Sequence, residues 1–239
     1  MSGSIDPPGL AGRAVLAGAL AWILAACAPQ PVVEAPSGRP AVPAEYPAVH
    51  YRQAEAAGAR VLRVDPRRSL VAIEVGRAGS LARVGHDHVV SSRDVQGHVA
   101  ESEGRADLWL PLDRMIVDEP ELRAQAGFDR HPSPEAVEGT RRNMLEKVLD
   151  SARFPYALIH VTRPAPGAET MDVAITLHGT KRSFDVAVRT ERLADGIAAE
   201  GSLSFNQSDF GIVPFSVLGG ALQVRDRLDL RFRIVAVGG

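Results

Sequence analysis

The chain has 239 residues, 27 basic against 29 acidic side chains, a formal net charge of −2, and only 5% aromatic residues. Arg and Lys alternate with acids along the chain, which excludes a phosphate-tracking groove for nucleic acid, and a single cysteine excludes an internal disulfide framework. After residue 27 no stretch approaches the roughly 20 apolar residues that a membrane-spanning helix needs.

The first element is an apolar run over residues 14–26, preceded by Arg13 and closed by Leu24, Ala25, Ala26 and the lone Cys27. A basic residue, a short apolar core and small residues at its end make a secretory signal peptide, over residues 1–26. The order Leu24-Ala25-Ala26-Cys27 resembles the bacterial lipoprotein cleavage box. That resemblance implies a diacylglyceryl group on Cys27, a membrane anchor of two acyl chains and a place in the cell envelope facing the periplasm. Ala28, where Asp would retain an inner-membrane lipoprotein, favours the outer membrane. An uncleaved N-terminal anchor is the alternative. Pro29, Pro31, Pro36, Pro40, Pro43 and Pro47 then disfavour helix and sheet, so residues 27–57 read as an extended tether.

Residues 58–239 are enough for one domain with a sizeable core. Residues 70–75 are β-rich, and residues 105–112 alternate, with Ala106, Leu108, Leu110 and Leu112 on one side. One helix follows. Ser133 is placed to cap it, Pro134 suits its first position, and Val137, Met144, Leu145, Val148 and Leu149 form its apolar stripe. Residues 156–162 and 171–177 read as a hairpin around Pro164-Ala165-Pro166-Gly167. Turns at 178–181 and at Asp195-Gly196 separate further strands over 183–189 and 197–205. The last strand has the clearest period: Leu222, Val224, Leu228, Leu230, Phe232 and Ile234 fall on one face, with Asp226 as the inward exception. Many short strands with turns between them predict an all-β barrel or sandwich.

Several segments together resemble the YceI-like family of bacterial periplasmic proteins. They are Val61–Val75 in outline, with Asp65 and Ser69; Phe154-Pro155 and the strand after it; Leu177-His178-Gly179-Thr180-Lys181; Phe205-Asn206-Gln207-Ser208-Asp209-Phe210-Gly211; and Val224-Arg225-Asp226-Arg227-Leu228. The sequence departs from the family's pattern at Arg68 and Gln207, where His and Arg are usual, and at Gly85-His86-Asp87-His88. The resemblance implies an eight-stranded antiparallel lipocalin-like barrel with one covering α-helix, binding an isoprenoid, quinone or fatty chain and using no resident cofactor. Its ligand-facing residues would include Ile73, Val75, Leu108, Leu110, Ile159, Ile175, Phe184, Phe205 and Phe232. Small residues at Ala72, Ala106, Ala157, Ala174, Ala187 and Ala199 would leave room for the chain.

His86, His88 and Asp226 are the polar candidates for the barrel mouth. In a strand, His86 and His88 share a face, and with His98, His160 or His178 they form a candidate zinc or copper set. Hydrogen bonding that closes a turn is the plainer role. Asp226 needs a cation if it is buried, and Arg182 or Arg83 is available. No nucleophile elbow, P-loop or dinucleotide fingerprint is present. Three functions therefore stand: a non-enzymatic, membrane-tethered carrier of an amphiphilic chain, a metal-dependent or redox enzyme centred on His86 and His88, and a ligand-free envelope module. Oligomeric state is not legible.

Overall fold

The structure is a computed structural model that describes residues 38, 40–128 and 130–238. Cys27 and the signal-peptide reading lie outside them. Eight antiparallel strands close into a barrel in simple up-and-down order. The first three are each broken in two. Strand β1 comprises Val61–Val64 and Leu70–Ala78, β2 comprises His88–Ser92 and Gln96–Ala100, and β3 comprises Arg105–Pro111 and Ile116–Val117. The rest are β4 (Tyr156–Thr162), β5 (Thr170–Leu177), β6 (Thr180–Arg192), β7 (Gly196–Asn206) and β8 (Leu222–Val237). Each strand pairs with the next, and β8 closes the barrel on β1, through Arg63 opposite Val237 and Leu230 opposite Ile73.

The breaks are built from short polar side chains. In β1, the Asp65 carboxylate accepts the Arg67 N–H at 3.0 Å and turns the chain through Pro66–Arg68. Buried Ser69 donates to the Asp65 carbonyl at 2.8 Å and accepts the Val235 N–H at 3.0 Å, which stitches the break to β8. The β5–β6 turn needs only two residues, His178 and Gly179, with φ of 51° and 73°. Positive φ at both positions matches the twist of a tight hairpin.

Three short α-helices lie among the described residues: α1 (Ala48–Ala56), α2 (Pro120–Gln125) and α3 (Pro134–Asn143). In α3 the Ser133 hydroxyl accepts the Ala136 N–H at 3.3 Å, as the sequence predicts, and a π turn over Met144–Val148 prolongs the helix. Its Val137, Met144, Leu145 and Leu149 pack on Leu110, Leu112, Met115 and Val117. The expectation of a single helix is corrected by α2, which covers the outer wall through Leu122 on Ala72 and Val89.

The extended-tether expectation is corrected over its last part. Residues 48–56 are helical, and α1 is held by its aromatic side chains. Tyr51 is 1% exposed and, with Tyr46, packs on Ala100 and Trp109. The Tyr51 hydroxyl donates to Asp107 at 2.7 Å and the Tyr46 hydroxyl meets His98 Nδ1 at 2.6 Å. Proline spacing conceals this, because two tyrosines anchor a nine-residue helix by tertiary packing, with little help from propensity.

Candidate functional site

Alternation along the strands sends one set of side chains inward, and these enclose an apolar cavity of about 650 Å³. Ligand sites for small molecules commonly measure roughly 300–1,000 Å³. Ile73, Val75, Leu108, Leu110, Ile159, Ile175, Phe205 and Phe232 all line it. Phe184 does not. It keeps the inward parity of Val186 and lies opposite Val173, but its ring packs against Phe205 and Phe210, 6.1 and 6.3 Å away between centroids, within the apolar cluster beside the cavity. Ala106, Ala157 and Ala199 are among the lining residues, whereas Ala72, Ala174 and Ala187 are not. Ala72 sits on the opposite register to Val71 and Ile73 and meets α2 on the outside. With Ala236, also in the lining, the small side chains are spread over β3, β4, β7 and β8.

Polar groups lie at both ends. At one end, Arg77 follows Val71, Ile73 and Val75 on the inward row of β1, and His86 and His88 stand beside it. The two imidazole centroids are 6.2 Å apart, but His86 precedes the strand, so the shared-face expectation does not hold for it. His88 Nδ1 is 2.6 Å from Oδ2 of Asp118, whose Oδ1 accepts the Val89 N–H at 3.0 Å and Arg123 Nη1 at 2.6 Å. Burial works to raise the Asp118 pKa, but His88, the Val89 N–H and Arg123 together hold it below the usual carboxylate range. Burial, then the charges of His88, Arg130, Arg123 and Arg77, push His86 below its ordinary value and favour its neutral ring. Arg77 is held by the Asp87 carboxylate at 3.5 Å and by the Gly85 carbonyl at 2.8 Å.

The other histidines do not gather there. His98 meets Tyr46, His160 Nδ1 lies 2.7 Å from Asp107 on the outer wall, and the His178 ring stands against Phe154 in the β5–β6 turn. Among the described residues no three His, Cys, Asp or Glu side chains come together as a metal-binding group.

Asp226 requires correction. It does not line the cavity and pairs with neither Arg182 nor Arg83. A bulge in β8 between Val224 and Leu228 displaces it, and its carboxylate accepts the Ser208 N–H at 2.8 Å and the Ser208 hydroxyl at 2.5 Å. It is an anchor for the turn after β7. Gln207, beside it, is 6% exposed, lines the cavity, and donates to the Arg225 carbonyl at 2.7 Å.

At the far end of the barrel the inward rows finish in Glu101, Arg163 and Thr190. This end is absent from the sequence expectations, although parity reaches it: Ala157, Ile159, Val161 and Arg163 share one face of β4 and its continuation. The clasp of Asp118 with Arg123 is absent from them as well. Nothing in the local pattern marks that clasp, since Asp118 reaches its site through a left-handed φ of 61°. The hydrophobic rim is asymmetric. Val84 and Val217, at the His86 end, line the mouth yet are 59% and 39% exposed, and Leu218 beside them is 72% exposed.

The sequence pattern of the YceI-like domain matches residues 62–236. Among solved structures, a polyisoprenoid binding domain from Saccharophagus degradans, implicated in plant cell wall breakdown, superposes with a TM-score of 0.53 at 14% identity, covering 76% of this chain and 99% of that one. BcnA of Burkholderia cenocepacia gives a TM-score of 0.49 at 16% identity, covering 73% of this chain and 99% of that one. No curated protein sequence matches significantly. At these identities the structural likeness is one of fold.

Proposed function

The chain belongs to the YceI-like family, and from that premise we propose that it is a binding protein that carries or sequesters an isoprenoid or similar amphiphilic chain, held at the cell envelope by acyl groups on Cys27. One observation carries the binding reading: a closed barrel whose inward rows leave an apolar cavity of about 650 Å³. Transfer of each methylene from water into such a space contributes about 0.8 kcal/mol, so a long chain has ample driving force without polar contacts along its length. The polyisoprenoid-binding activity named for the Saccharophagus degradans domain, which shares the fold, supports the class of ligand. The exposed Val84, Val217 and Leu218 at the mouth suit passage of a chain between the barrel and a lipid surface, because apolar side chains there lose water on contact with acyl tails.

Purification from the native host, lipid extraction and mass spectrometry are expected to recover a stoichiometric long-chain lipid. The purified protein is expected to bind a fluorescent fatty probe that the extracted lipid displaces. Repeated absence of both signals overturns the reading. Tethering has a separate test. Cells labelled with palmitate are expected to incorporate the label into the wild-type protein and not into Cys27→Ala, which should appear in the soluble fraction. A wild-type protein that stays unlabelled excludes the acyl anchor and leaves the binding reading intact.

A further inference from the structure

We propose that Arg163 is the subsite for an anionic head group, so that the carried amphiphile ends in an oxyanion, a phosphate or a carboxylate, lodged at the end of the barrel opposite His86. The proposal rests on the carrier reading above and narrows its ligand class.

Four observations converge on this residue. The first is register. Arg163 continues the inward row of Ala157, Ile159 and Val161, and its backbone N–H donates to the Gly104 carbonyl at 2.8 Å, so the residue is held in the wall of the barrel. Second, Arg163 lines the cavity itself. Third, its Nε is buried without a hydrogen-bond partner, and among the described residues its guanidinium makes no ion pair. Fourth, the carboxylate that lines this end is already engaged by other cations: Glu101 lies 3.6 Å from Arg60 and 3.3 Å from Arg192.

The physics then asks for an acceptor from outside. A guanidinium stays protonated at any working pH and presents donors in a planar fork. A buried N–H left unmet costs the desolvation of that group. Carboxylate and phosphate oxygens match the fork and form the stronger, charge-assisted kind of hydrogen bond. Arg77, at the other end, has no such need, because Asp87 and Gly85 already occupy it. The ends of the tube therefore differ: one cation is neutralised by the protein and the other awaits a ligand.

The test uses three probes with one chain and different heads: hexadecyl phosphate, hexadecanoate and hexadecanol, each measured by displacement of a fluorescent fatty probe below its critical micelle concentration. Wild-type protein is expected to bind at least one anion tenfold or more tightly than the alcohol, and Arg163→Gln is expected to lose that preference while binding hexadecanol as before. Retained alcohol binding shows that the variant is folded. Which anion gains most identifies the head as phosphate or carboxylate. Equal binding of all three heads by the wild type, or a preference that persists in Arg163→Gln, overturns the inference and spares the carrier reading. Failure of the wild type to bind any of the three overturns the carrier reading as well.

Discussion

Asp118 illustrates how a single side chain fixes the polar end of the cavity. It is buried, it receives His88, the Val89 N–H and Arg123, and Arg123 is itself only 2% exposed. Removing one partner of a buried pair leaves the other charge without compensation and typically costs about 3–5 kcal/mol. Asp118→Asn is therefore expected to lower stability by about that amount, measured as a shift in the urea midpoint at constant m-value. The pH dependence follows from the direction of the shift. The folded pKa lies below the ordinary 3.8, so the fold favours the ionised form. Its contribution is complete above the unfolded value and is lost as pH falls through the lower folded value. Wild-type stability is expected to fall more steeply than that of Asp118→Asn below about pH 4. Parallel curves for the two proteins would exclude the clasp. At this scale the sequence was only partly legible. The inward residues can be read from period two, but a carboxylate that meets His88 from 30 residues away leaves no local trace, parity does not show that Phe205 and Phe210 pack against the inward Phe184, and Asp226 is displaced by a bulge that parity cannot see.

The elements separate along the same line. Strands β4, β5, β7 and β8 were legible because each has one wet and one dry face and ends in a turn signal. Strand β2 was not, because Ser91 and Ser92 are fully buried and interrupt the hydrophobic pattern where α2 and the chain before it cover the wall. Helix α1 is hidden by the prolines that precede it, and its attachment is tertiary. Across the wall beneath it, His98, Asp107 and His160 are cross-strand neighbours, and Tyr51 donates to the same carboxylate that meets His160. Burial and Asp107 raise the Tyr51 pKa, so the phenol remains a donor throughout the physiological range. A hydrogen bond to a charged acceptor contributes roughly 1.5–3 kcal/mol. Tyr51→Phe is expected to loosen α1 by about that much while leaving the barrel intact. Amide hydrogen exchange should rise within residues 48–56 and stay unchanged in β5 and β6. Uniform acceleration across the barrel would mean instead that α1 is part of the global folding unit.

For the whole molecule, the question is whether the interior is an unfinished core or a space kept open for a ligand. Interiors are close-packed, and an apolar cavity is a standing cost to stability. A volume of about 650 Å³ therefore makes sense where a ligand refunds it. Both ideas predict that filling the space stabilises the empty protein, but only the second predicts a loss of binding. Ala199 is well placed to separate them. It lines the cavity from β7, opposite Ile234 on β8, and, like Phe232, packs against the cluster that contains Phe205 and Phe210. Ala199→Phe is expected to hold or raise the melting temperature of ligand-free protein and to weaken hexadecanol binding at least tenfold. Ligand acting on the wild type should add stability as RT ln(1 + [L]/Kd), about 2.7 kcal/mol at one hundred times Kd, and that increment should vanish in the variant. A variant that binds as tightly as the wild type would place the ligand outside the barrel, and the apolar rows would then serve only to hold the wall together.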